Sequence, residues 1–419
     1  MIKHILKLIW TERKVNAWIL LELILVFCIL WFCTDYLYFM TKRYLEPRGF
    51  NIEHTYRIGI DLKDEGREIL ASSDEEKKNE MRDDIWTIYD RIKSYPAIEY
   101  LSYSSSAYPY SGSWSNGDMM IDSVSAYFQF KTITPEFFNV FKIDILSGTP
   151  FSWDNVIVGR PIIISPGRDG LIANKLPQEV KCTNPGGEHE ETVIGTAVKT
   201  KRNEYENYSA VLYRPMKKDH HYVAEYREVC VRVKPEADKN FEEKFTKDMR
   251  NQLEVGPYYL SSVISIEEDR EQYMNWNGYE NNFKSIYSIT AFLIVNIFLG
   301  IIGTFWFRIQ SRRSEIGLRI ALGASKSNVK NMFVLETILL LFLASIVATI
   351  ICINVSVTDV IRDINVPIPN REGESAGILQ YFINYGFTFL FLALIAIVAV
   401  WYPAKKASDI QPTEALRDE

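Results

Sequence analysis

The stretch SIYSITAFLIVNIFLGIIGTFWF (Ser285–Phe307), followed after Arg308–Ser311 by RRSEIGLRIALGAS (Arg312–Ser325), decides the fold. Ile286–Phe307 carries no charged side chain. As a helix it is about 33 Å long, enough to cross a hydrocarbon core of about 30 Å. The charged segment behind it holds two glycines, and a further apolar run begins beyond it. Ile316 and Ile320 share one helical face, which Leu318, Ala321 and Leu322 broaden, while Arg312, Arg313, Glu315 and Arg319 supply the polar side. Gly323 suits a left-handed helix stop, and Ser325 or Ser327 suits the cap of the next helix. A short amphipathic helix between two spans is the expected structure.

Three other apolar runs frame this one: Ala17–Cys33 extending toward Met40, Ile338–Val355 with a start near Met332, and Gly386–Tyr402 with a start near Ile378. The sequence therefore predicts spans at 17–40, 285–307, 332–356 and 378–402. The first follows basic residues but lacks a small-x-small cleavage site, and reads as an uncleaved anchor. Lys and Arg gather at the N-terminus, after the second run and after the fourth. The loop 357–377 between the third and fourth runs is net acidic. By the positive-inside rule both termini, the segment 308–331 and the tail 403–419 face the cytoplasm, and residues 41–284 lie outside. Residues 1–16, with Ile2, Ile5, Leu6 and Ile9 on one face, suit a helix in the membrane interface. Glu22 and Glu336 are the carboxylates picked out inside spans. Both are placed near the cytoplasmic ends, where snorkelling lowers the cost of burial. Glu336 is expected to contact the basic segment Arg312–Arg319.

The region 41–284 holds two strand–helix–strand patterns. Thr55–Leu62 alternates as a strand. A helix with Met81, Ile85, Ile88 and Ile92 on one face follows, capped by Ser73 or Asp74, and Ile98–Ser106 returns as a strand. Glu228–Val233, a helix bearing Phe241, Phe245, Met249 and Leu253, and Tyr258–Glu267 repeat the order. Short apolar runs broken by Pro and Gly over about 145–225, including Val156–Gly159, Ile162–Ile164 and Val193–Gly195, predict an inserted β-rich subdomain. The fold class is thus a membrane α-helical protein of four transmembrane helices, plus an α+β extracytoplasmic domain of two βαβ units with that insert.

Chemistry is sparse. The net charge of −6 and the lack of a basic stripe with aromatics argue against a nucleic-acid partner. His189 among glutamates and the His220–His221 pair read as solvated loops rather than metal ligands, and no HExxH, CxxC or GxxxxGK[ST] occurs. No catalytic or metal site is expected on this chain. A Cys182–Cys230 bridge is left open.

RRSEIGLRIALGASKSNVKNMFVLET, with Glu336 near its end, resembles the signature of the MacB/FtsX-like ABC transporter permeases, the mechanotransmission (type VII) kind. The tail YPAKKASDIQPTEALRDE (Tyr402–Glu419) resembles the family's C-terminal ending at Pro403, Ala404, Ala407, Pro412, Glu414, Ala415, Leu416 and Arg417. Ile133–Phe151 and Glu191–Tyr205 are also similar to family segments. The resemblance implies a stand-alone permease in a bacterial inner membrane, with its large domain periplasmic. A separate ABC ATPase dimer would bind ATP and Mg, while this chain binds no cofactor. It implies coupling through Arg312, Glu315, Ile316, Gly317, Arg319, Ala321, Leu322, Gly323 and Ala324, with Glu336 as a transmembrane coupling residue. It implies a second permease chain, as a homodimer or heterodimer, and leaves a periplasmic adaptor or effector open. Export or release of a hydrophobic or peptide cargo is the expected work. Alternatives are a regulatory permease activating a periplasmic cell-wall enzyme, and a membrane-anchored sensor.

Overall fold

The computed structural model describes residues 7, 9–11, 13–121, 124–155, 160–167, 181–184, 190–219, 228–358 and 378–409. The chain divides into a helical unit, Met1–Lys42 with Glu280–Glu419, and an α+β unit, Arg43–Tyr279.

Among the described residues, the α+β unit holds one sheet of eleven strands. They are β1 (Thr55–Leu62), β2 (Ile98–Ser105), β3 (Ser115–Ile121), β4 (Val124–Ile133), β5 (Ile145–Gly148), β6 (Pro161–Ser165), β7 (Lys181–Thr183), β8 (Glu190–Ala197), β9 (Val211–Pro215), β10 (Glu228–Val233) and β11 (Tyr258–Ser265). The order runs β11-β1-β10-β2-β4-β3-β7-β8-β6-β9, with β5 beside β8. β1 lies antiparallel to both β10 and β11, and β10 antiparallel to β2. The strands of the two sequence patterns therefore alternate along β11-β1-β10-β2.

α2 (Asp64–Ala71) and α3 (Glu75–Lys93) fill the first connection, and α5 (Phe241–Met249) part of the second, after the short α4 (Phe137–Phe141). α3 starts where Asp74 accepts a hydrogen bond from the Lys77 amide at 3.1 Å. Its buried stripe is Met81, Ile85, Ile88, Tyr89 and Ile92, and α5 buries Phe241, Phe245 and Met249 in the same core. This is the 3.6-residue periodicity acting as the sequence implies.

The insert differs from its expected limits. The hairpin β3–β4 precedes residue 145, yet β3 pairs with β7 and β4 runs parallel to β9. Hydrogen bonding therefore carries the sheet from β2 into the insert. Cys182 and Cys230 are buried, on strands separated by β2, β4 and β3 in the sheet order. Three intervening strands exclude a disulfide, which needs Cα atoms within about 7 Å. Val156–Gly159, His189, His220 and His221 lie outside the described residues.

In the helical unit the four apolar runs are α1 (Arg13–Leu45), α7 (Tyr279–Ser311), α9 (Lys326–Val357) and α10 (Ile378–Ser408), with α8 (Arg313–Ala321) between the second and third; α6 (Ile266–Trp276) closes the α+β unit. All four are long and apolar enough to cross a membrane. Each helix extends past the apolar run that marks it, because helix continues through charged residues such as Lys42 until a breaker or cap intervenes. α10 even runs through Pro403, where the tail was expected to begin. One apolar cluster holds the bundle together, with Phe27, Trp31, Ile297, Phe333, Leu340 and Ala399 at its centre.

Candidate functional site: the charged segment beneath the bundle

Arg312 leaves the helical region (φ −109°, ψ 17°) and turns the chain from α7 into α8. α8 buries Ile316 and Gly317, and Ile320 packs against the bundle core. Leu318 is 50% and Leu322 80% exposed, an apolar pair turned away from that core. The helix ends as the sequence implies. Gly323 takes φ +97°, its amide donates to Ile320 O at 3.0 Å, and the Ala324 amide donates to Arg319 O at 3.0 Å. Those two bonds satisfy carbonyls that the helix terminus would otherwise leave open. Ser325 Oγ then accepts from the Asn328 amide at 3.2 Å and starts α9. The charged segment is therefore stopped, turned and restarted within Leu322–Ser325.

Behind it sits a buried ion cluster. Glu336 is fully buried, three turns into α9. Arg308 Nη1 donates to its Oε1 at 2.5 Å, and Arg312 Nη1 to its Oε2 at 3.3 Å. Arg308 Nη2 also donates to Asn16 Oδ1 of α1, and Asn16 Nδ2 donates to Ile9 O at 2.7 Å. Four segments thus meet at one point: the N-terminal turn, α1, the α7–α8 junction and α9. The expected contact of Glu336 with the basic segment is met at Arg312, and Arg308, just ahead of that segment, is a second partner. One expectation is corrected: Glu336 does not snorkel, because two guanidiniums replace water around it. Arg319 bonds Glu315 at 2.5 Å, the residue one helical turn before it.

Of the tail motif, Pro403 and Ala404 are buried in the last turns of α10, and Ala407 follows in the same helix. Pro412, Glu414, Ala415, Leu416 and Arg417 lie outside the described residues. Asp409 pairs with Lys326 at 2.7 Å, tying the end of α10 to the start of α9. Among the described residues no group of three or more His, Cys, Asp or Glu could hold a metal.

Sequence reasoning assigned no role to Asn16 and used Arg308 only for topology. Both are ordinary residues at a span boundary, and only the facing of helices reveals their partners.

A second feature lies within the α+β unit. The loop 199–208 grips both places where the chain passes between the units. Lys201 Nζ donates to Arg43 O at 2.5 Å and pairs with Glu46 at 3.0 Å, and Arg43 Nη1 donates to Tyr205 O at 3.1 Å. Tyr205 stacks on Tyr44 and on Tyr279, with ring centroids at 5.8 and 5.1 Å. Glu204 Oε1 accepts from Arg270 Nε at 2.7 Å, Tyr110 Oη at 2.8 Å and Arg48 Nη1 at 3.1 Å. Burial alone would raise the Glu204 pKa, but the hydrogen bonds, that from Arg270 foremost, bring it below the ordinary value.

The FtsX-like permease C-terminal family matches residues 287–412. The ABC transporter permease YtrF of Bacillus subtilis (strain 168) is 26% identical over 192 residues, 43% of this chain and 42% of its own length. The macrolide export ATP-binding/permease protein MacB of Bdellovibrio bacteriovorus is 32% identical over 132 residues, 32% of this chain and 19% of its own. The matches thus span less than half the length of either relative. Among solved structures, the periplasmic region of MacB from Actinobacillus actinomycetemcomitans aligns with 55% of this chain and 98% of its own, at 13% identity and a TM-score of 0.35.

Proposed function

We propose that this chain, a MacB/FtsX-like permease, couples a separate ATP-hydrolysing subunit on one side of the membrane to its α+β unit on the other. The observation that carries the reading is the form of α8. It offers Leu318 and Leu322 to solvent while Arg312, beside it, is bound to a fully buried Glu336. A partner that grips the exposed leucines pulls on a rigid point, because a buried ion cluster is costly to break.

In this reading the termini and α8 are cytoplasmic and the α+β unit is periplasmic, as the charge distribution implies. The ATPase dimer binds ATP and Mg, two permease chains complete the complex, and this chain supplies no catalytic group. Arg312, Glu315, Ile316, Gly317, Arg319 and Ala321–Ala324 form the grip, and Glu336 passes the displacement to α9. Within the α+β unit the loop 199–208 holds the chain at Arg43–Glu46 and at Tyr279. The work is export or release of a hydrophobic or peptide cargo.

The test is co-purification. Tagged chain, gently solubilised, should bring down a subunit that mass spectrometry identifies as a P-loop ATPase. Leu322→Asp and Gly323→Trp should lose it at unchanged permease level. Wild-type chain without an ATPase, even after cross-linking in intact membranes, would refute the proposal.

A further inference from the structure

Span α1 carries a second buried carboxylate. Asp35 is 7% exposed, although it lies within an apolar helix. Its Oδ1 accepts from Asn384 Nδ2 at 2.6 Å and from Gln380 Nε2 at 3.4 Å, both on α10. Gln380 Nε2 also donates to Asn384 Oδ1 at 2.9 Å, so the two amides are ordered as a pair. One turn beyond Asn384 on α10, Thr388 meets Thr34, the residue before Asp35, through their hydroxyls at 3.4 Å. Asn384 and Thr388 are each 1% exposed.

Position gives this cluster its meaning. Asp35 lies nineteen residues beyond Asn16 on the same helix, about 28 Å at 1.5 Å per residue. That is close to the thickness of a hydrocarbon core, about 30 Å. The two polar clusters therefore sit at opposite ends of the bundle. Between them α1 offers Leu23, Phe27, Leu30 and Trp31 to the apolar core, with Trp31 stacked on Tyr381 at 6.4 Å. Dispersion packing across that middle sets no register by itself, since one apolar contact replaces another at little cost. Hydrogen bonds at fixed side chains do set it. Ionisable groups inside spans are expensive and are retained where they act on a partner.

We propose that Asp35 is a positioning residue that latches α1 to α10, so that these two spans move as one body. The inference rests only on the four-span reading and not on any ATPase. What acts in the bonds to Asn384 and Gln380 is the acceptor oxygen, because each partner is an amide donor. An asparagine can present the same oxygen; a leucine cannot.

Full-length chain carries the test, with its five cysteines replaced by alanine, Thr34→Cys and Thr388→Cys introduced, and a protease site placed between α9 and α10. Copper-phenanthroline oxidation in native membranes, followed by cleavage, reports how fast the two spans bond. Asp35→Asn should keep the rate within about twofold. Asp35→Leu should lower it about threefold to twentyfold, the range that interhelical hydrogen bonds in membranes support. A second chain keeps the native Cys28 and Cys352, each of whose sulfurs touches the other helix. Their bonding should be unchanged by Asp35→Leu. Equal rates in all three chains overturn the latch, as does equal loss with asparagine and leucine. Loss of the Cys28–Cys352 bond overturns it too, because Asp35 would then hold the bundle as a whole.

Discussion

Replacing Glu336 by leucine should destabilise the helical unit by about 3–5 kcal/mol, the cost of removing one member of a buried ion pair. The structure sets the size. Glu336 is 0% exposed, and its partners Arg308 and Arg312 have side chains only 3% and 7% exposed. Without the carboxylate, two guanidiniums stay buried with their charges uncompensated by it, and water cannot reach them. Arg308→Leu should cost a similar amount. The double variant should cost less than the sum by about 0.5–3 kcal/mol, because one charge that the first change strands is removed by the second. Reversible unfolding of purified full-length chain in mixed micelles measures all four corners of the cycle. The half-buried Glu315–Arg319 pair, one helical turn apart, serves as comparison, with an expected coupling of about 0.3–0.5 kcal/mol. Additivity of the Glu336 and Arg308 changes within about 0.5 kcal/mol would refute the reasoning.

Gly323→Ala should cost about 1–2 kcal/mol, since a Cβ at φ +97° is disfavoured although it meets no neighbour within 4 Å; faster hydrogen exchange at the Gly323 and Ala324 amides would report it. Gly300→Val should displace Glu22, because a Cβ there would clash with Glu22 Oε1; unchanged cross-linking between α1 and α7 would contradict this. Glu204→Gln should loosen the loop 199–208 at neutral pH, read by hydrogen exchange. The folded pKa of Glu204 lies below its ordinary value, so the carboxylate stabilises the fold above about pH 4.3 and loses that effect as pH falls through the folded value. The difference between wild type and variant should shrink on acidification, and a difference that grows would show the sign to be wrong.

The resemblance read from the two cytoplasmic motifs is borne out by the match at 287–412 and by the two relatives. The helix stop at Gly323, the cap at Ser325 and the buried stripes of α3 and α5 were legible because each depends on residues within one turn of each other. Glu336 was legible as a carboxylate in an apolar helix next to a basic segment. Arg312 fell within the segment expected to meet it; Arg308 did not, because that contact depends on which faces of α7 and α9 meet. Asp35 escaped notice for a related reason. It falls within the extension of the first run toward Met40, and its partners Gln380 and Asn384 lie at the start of the last span. The β3–β4 hairpin joined the insert through pairings with β7 and β9, long-range contacts that alternation within one strand does not encode.

Site-specific photo-cross-linking from position 322 in intact membranes tests the central claim most directly. The account predicts a single adduct with a P-loop ATPase, identified by peptide mass, and none from a probe at Leu146 in the α+β unit, which is 64% exposed. Adducts with lipid alone at position 322, or the ATPase captured from position 146, would contradict it.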